Sequence, residues 1–226
     1  MNILCDYCKS SIGKKQIVAV TGLFMILFLV GHLAGNLLLF LGPEVYNAYA
    51  HKLAGLRPGL YVIEIGLVIV FIVHILVTAW TVWENIQARP INYAVIKPSE
   101  QRSLATKLMP YTGTYLLAFV LYHLFDFTFT EHEGGRSILV NGQSYGLFGV
   151  VYNSFLDPIH SVLYIFAMFC LGFHLWHGVD SFMQTFGLKN EKYASIVEKT
   201  SHWFAALITV GYSSIPLGVM WGWIKY

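Results

Sequence analysis

Five runs of apolar residues, each long enough to cross a bilayer as a helix, dominate this 226-residue chain. They are approximately Gln16–Leu41, Leu60–Glu84, Met109–Thr130, Ile159–Phe186 and His202–Trp223. About 20 helical residues, each rising ~1.5 Å, are enough to span the hydrocarbon. Composition agrees. Charged residues make up 12% of the chain and hydrophobic residues 56%, too little charge to cover a soluble globule of this size. Glycines interrupt the runs, as membrane helices tolerate where they pack closely. No run alternates like a membrane β-strand. The first run is too long for a signal peptide, contains His32 and Asn36, and lacks an obvious cleavage site. The reading is an all-α integral membrane domain over residues 1–226, a four-helix bundle plus a fifth helix. No soluble catalytic domain, phosphate-binding loop or internal repeat stands out.

Basic residues set the orientation. Ten of the fourteen Lys and Arg fall in the N-terminal segment, the second-to-third connection and the fourth-to-fifth connection. Lys52, Arg57, Arg136 and Lys225 lie on the other side. The positive-inside rule then puts the N-terminus in the cytoplasm and the C-terminus outside. The longest outer loop runs from Glu131 to Pro158, and its apolar stretch Tyr145–Phe155 suits an interfacial or re-entrant helix. A net charge of +2 excludes an electrostatic nucleic-acid binder, and three cysteines exclude a disulfide scaffold. Cys5 and Cys8 form a lone Cys-x-x-Cys, two ligands short of a metal site. Cys170 reads as a small core residue.

Nine histidines are many for so apolar a chain. Four of them, His32, His74, His123 and His174, lie deep in four successive runs. A histidine at that depth either links helices by hydrogen bonds or marks a functional site. With ~1.5 Å per residue, His32 and His123 fall about 5 Å to the outer side of their helix midpoints, and His74 and His174 about 3 Å to the inner side. Two pairs, each drawn from two helices, are what two bis-histidine b haems stacked across a bundle require. Zinc would need four ligands converging at one point. No Cys-x-x-Cys-His is present for covalent haem. Gly31 and Gly35 flank His32, and Gly172 and Gly178 surround His174; missing side chains of this kind leave room for a flat macrocycle or for a neighbouring helix. His177 stands one turn from His174, so either could be the ligand on spacing alone. It lies nearer the cytoplasmic surface, where it suits a haem propionate.

At these histidines, and at Gly-Phe-His-Leu-Trp-His-Gly over residues 172–178, the chain resembles a known family. This is the five-helix, dihaem cytochrome b membrane-anchor subunit of succinate:quinone oxidoreductases and quinol:fumarate reductases. Ser11 and Lys15 before Thr21-Gly22, Asn36, Glu64, Ala88-Arg89-Pro90, and Gly178 with Ser181 resemble it too. The likeness covers most of the chain. It implies that His32 and His123 hold the outer haem b, and His74 and His174 the inner. It implies a covalent-FAD flavoprotein and an iron–sulfur subunit docked on the cytoplasmic face of a bacterial inner membrane. Electrons would pass from succinate through those subunits and both haems to a quinone, menaquinone by this reading. The same parts serve the respiratory chain and tricarboxylic acid cycle, or the reverse reaction with fumarate. Some fumarate-reducing members carry a glutamate where this chain has Gly172, which leans toward succinate oxidation. Outer quinone candidates are Tyr152, Asn153 and His160, with Asn47 and His51 behind them; each also reads as an ordinary interfacial residue. Asp126, Glu64 and Arg89 could orient a ligand or bind a propionate, or serve only at the interface. Two other readings stay open: a cytochrome subunit of a hydrogenase or formate dehydrogenase, and a transporter with a histidine proton relay.

Overall fold

A computed structural model describes residues 3–88 and 103–226, with side chains from residue 6 onward. Within them lie eight α-helices: α1 Ile3–Lys9, α2 Ser11–Leu37, α3 Pro43–Ala54, α4 Gly59–Gln87, α5 Leu104–His123, α6 Gly146–Leu156, α7 Pro158–Thr185 and α8 Ala194–Met220. Among the described residues there is no β-strand, only a lone bridge between Ile138 and Ser144. The stretches Ser11–Leu41, Gly59–Gln87, Leu104–Thr128, Pro158–Thr185 and Ala194–Met220 are long and apolar enough to cross a membrane. Each overlaps one of the five runs read from the sequence, with ends that differ by up to eight residues.

The helix starts follow local chemistry. Ser10 caps α2 by accepting from the Gly13 N–H at 3.0 Å, and Ser103 caps α5 by accepting from Thr106 at 3.2 Å. Asp157 accepts from Ile159 at 2.9 Å, with Pro158 as the first residue of α7. Each such cap is worth about 1 kcal/mol, because it satisfies an N–H that the helix leaves orphaned. The Ser10 cap starts α2 five residues earlier than hydropathy placed it. Lys14, counted above as a flanking charge, therefore lies inside a packed helix pair. It is 4% exposed, pairs with Glu84 of α4 and sits over the Trp80 ring. The lysine stem is apolar, so it can line a helix contact while its head finds a carboxylate.

α7 is the hub. It packs most extensively on α8, then on α5, and it also touches α2. α2 carries α4, whose other sides stay open; no residue of α4 is buried. One core cluster joins Leu33, Ala167, Met168, Leu171 and Ile208 between α2, α7 and α8. A second joins Leu39, Tyr46, Phe148, Phe155, Tyr164 and Val219 at one end. This second cluster seats α3 and α6, the two short helices.

α3 has no counterpart in the sequence reading, where its segment was only a connection. Asn47 on it clamps the start of α6. Its side chain accepts from the Phe148 N–H at 3.1 Å and donates to the Tyr145 carbonyl at 2.8 Å. α6 realises the helix expected over Tyr145–Phe155, packed against α3, α7 and α8. Its Gly149 presses on the turn at Gly135–Ser137, where a Cβ would stand 2.1 Å from the Ser137 carbonyl oxygen.

Candidate functional site

Of the four deep histidines, two meet directly. His32 of α2 and His123 at the end of α5 face one another edge to face, ring centroids 5.8 Å apart. Phe28 stacks on His32 and Phe119 on His123, each four residues earlier on the same helix. His74 of α4 and His174 of α7 each rest against a neighbouring helix at a glycine. A Cβ at Gly22 would lie 3.5 Å from His74 Cε1, and one at Gly113 would lie 3.4 Å from His174 Cε1.

Hydroxyl groups meet the Nδ1 atoms. Thr21 Oγ1 is 3.0 Å from His74 Nδ1, and Thr112 Oγ1 is 3.4 Å from His174 Nδ1. Tyr164 Oη is 3.4 Å from His123 Nδ1. Thr106 Oγ1 is 3.0 Å from His177 Nδ1.

These contacts expose a repeat that the sequence reading missed. Thr21-Gly22, Phe28 and His32 recur at the same spacing as Thr112-Gly113, Phe119 and His123. In both copies the Thr-Gly pair supports the histidine of the next spanning helix, His74 or His174. Four matched positions in twelve residues are hidden by the apolar filler between them. An alignment of the first run on the third, anchored on the histidines, would have found them.

Beyond His123 the helix widens into a π turn, Leu124–Thr128, a distortion common near functional residues. It brings Asp126 into a polar cluster. The carboxylate, its side chain 9% exposed, accepts from Arg136 and from Tyr164, each at 2.8 Å. His160 Nε2 lies 3.1 Å from the same carboxylate but off the line of a hydrogen bond, while its Nδ1 meets Tyr122 Oη at 3.1 Å. The cluster thus runs from Arg136 of the α5–α6 connection to His123 through Tyr164.

The weaker sequence candidates fall in other places. Asn153 donates to the Arg136 and Ile138 carbonyls and holds the loop. Tyr152 stacks on Phe148 and meets Tyr226 edge-on. Asn47 is used as the α6 clamp. His51 faces an open cleft of about 700 Å3 together with Glu44, His132 and Glu133. Glu64 pairs with Arg57 at 3.1 Å on the surface. The room left by Gly35 is filled by the Tyr49 ring, and that left by Gly172 by Thr209 of α8, so helix packing explains both. Gly31 and Gly178 have nothing within 4 Å of a Cβ. Arg89 and the side chain of Cys5 lie outside the described residues. Among those residues no three His, Cys, Asp or Glu gather as a metal cluster. Comparison with family models, with curated proteins and with solved structures gives no match.

Proposed function

We propose that this chain is a bis-histidine cytochrome b of the membrane. More particularly, it is the dihaem anchor and electron-transfer subunit of a succinate:quinone oxidoreductase or quinol:fumarate reductase in a bacterial inner membrane. The observation that carries the reading is the His32–His123 ring pair, with His74 and His174 each set against a Thr-Gly pair of a neighbouring helix.

The donor set suits haem. A b haem takes two axial nitrogens from opposite sides, so two ligands per site suffice. Metal–imidazole bonds of about 2.0 Å put coordinating nitrogens roughly 4 Å apart, a separation in keeping with the 5.8 Å between the His32 and His123 ring centroids. Open space at Gly31 and Gly178, and the unburied flank of α4, suit a flat group between the helices. On this reading the four helices α2, α4, α5 and α7 form the haem-binding bundle and α8 buttresses it.

His32, His123, His74 and His174 would hold two haems there, and the haems would supply one-electron chemistry between a cytoplasmic iron–sulfur subunit and a membrane quinone, menaquinone in this proposal. The chain's own residues would hold the rings, exclude water and fix hydrogen bonds that tune potential. His177 would receive a propionate of the inner haem. Of the quinone candidates, His160 best suits proton exchange, because it sits among Tyr122, Tyr164 and Asp126. A reduced-minus-oxidised spectrum of the purified complex tests the reading. Two b-type haems per chain are expected; none, or one, overturns it.

A further inference from the structure

We infer that Thr21 and Thr112, together with Tyr164, are positioning residues that fix the tautomer of His74, His174 and His123, leaving Nε2 of each as the free lone pair. The inference deepens the haem reading and rests on it only in the last step.

The argument is a count of hydrogens. A hydroxyl has one proton to give and two lone pairs to receive. Thr21 Oγ1 gives its proton to its own helix, 2.7 Å from the Ile17 carbonyl. Thr112 Oγ1 gives its proton to the Leu108 or Met109 carbonyl, each at 3.1 Å. Tyr164 gives its proton to Asp126 Oδ2 at 2.8 Å. With that proton committed, each oxygen can only accept from the histidine. Nδ1 must therefore carry the ring hydrogen, and Nε2 must be bare. A neutral imidazole in this tautomer is what a metal ligand needs, with its other nitrogen held by a second group.

A threonine that bonds back to its own helix is commonplace. Thr81 and Thr114 do so as well, and neither meets a histidine. What distinguishes Thr21 and Thr112 is the ring at their lone pair and the glycine beside them that lets the ring approach. Both features come twice, from the two copies of the repeat. His177 is different. Its neighbour Thr106 shares a 2.8 Å hydrogen bond with Ser103 in which either oxygen can donate, so nothing forces its tautomer.

The test uses the whole chain in its complex, with Thr21→Val and Thr112→Val, which keep the branched shape, and Thr21→Ser and Thr112→Ser, which restore the hydroxyl. A hydrogen bond from Nδ1–H makes the ligating ring more basic and favours oxidised iron. Each valine variant should raise the midpoint potential of one haem, the same one for both, and leave the other haem unmoved. The serine variants should return it. Potentials unchanged in both valine variants, or no return with serine, overturn the inference. A complex without haem ends the proposed function but not this test. Nitrogen-15 spectra of the histidines then report the tautomer directly: Nδ1–H at His74 and His174 supports the lock, and Nε2–H overturns it.

Discussion

On the proposed dihaem reading, replacing His174 with tyrosine should remove one haem of two and leave the other, whereas replacing His177 with tyrosine should leave both. The two residues are one turn apart on α7, so sequence spacing does not choose between them. Their surroundings do. His174 lies against Gly113 of α5. His177 stands nearer the helix end, one turn before Asp180, which pairs with Lys189. The measurement is haem content per chain. About half the haem should survive in the His174 variant, since each b haem needs both of its axial ligands. Loss of one haem in the His177 variant alone would exchange the two assignments. The remaining haem in the His174 variant should keep its wild-type potential, because its ligands sit on another level of the bundle.

Replacing Gly149 with alanine destabilises the chain by roughly 3 kcal/mol, near the upper end of overpacking costs. The new methyl would stand 2.1 Å from the backbone oxygen of Ser137. Backbone cannot rotate aside as a side-chain tip does. Ser137 is fully buried and tied to Gly134 at 2.7 Å and to Ser144 at 2.6 Å, so the turn must move as a body. A melting midpoint lower by roughly 6–12 °C is expected for a chain of this size. Gly31→Ala, where nothing lies within 4 Å, is the control for thermal stability. The Gly149 variant should also disturb the His123 level, since the displaced turn carries Arg136, which holds Asp126, which holds Tyr164. A wild-type midpoint for Gly149→Ala would show that the turn yields freely.

Long-range order was legible where one physical quantity decided it. The cost of bare backbone and charge in hydrocarbon makes a spanning helix a long apolar run, and all five spans could be read that way. Their ends could not. Ser10 and Lys14 extend α2 through a cap and a snorkelling side chain, neither of which hydropathy measures. α3 was missed because Pro43–Ala54 is too short to span and interrupts its small and aromatic residues with Glu44, Asn47, His51 and Lys52. Its stability comes from Tyr46 and Asn47 meeting α6, contacts about a hundred residues distant in sequence. That His32 and His123 belong together was legible from depth and direction alone. Their supports were not, because Thr21 and Thr112 look like ordinary small polar residues until the next helix is laid beside them. The glycines misled in part. A missing side chain serves a neighbouring helix as readily as a ligand, and Tyr49 and Thr209 take the spaces at Gly35 and Gly172.

The duplicated Thr-Gly-Phe-His pattern has a consequence for symmetry. Each copy sits on one spanning helix and serves the histidine of the next, so α2 with α4 and α5 with α7 form two like halves. α8 belongs to neither half; it packs mainly on α7 and also touches α2. Matched substitutions in the two halves, Thr21 against Thr112 or His74 against His174, therefore measure how alike the halves are, with α8 as the first place to seek the cause of any difference.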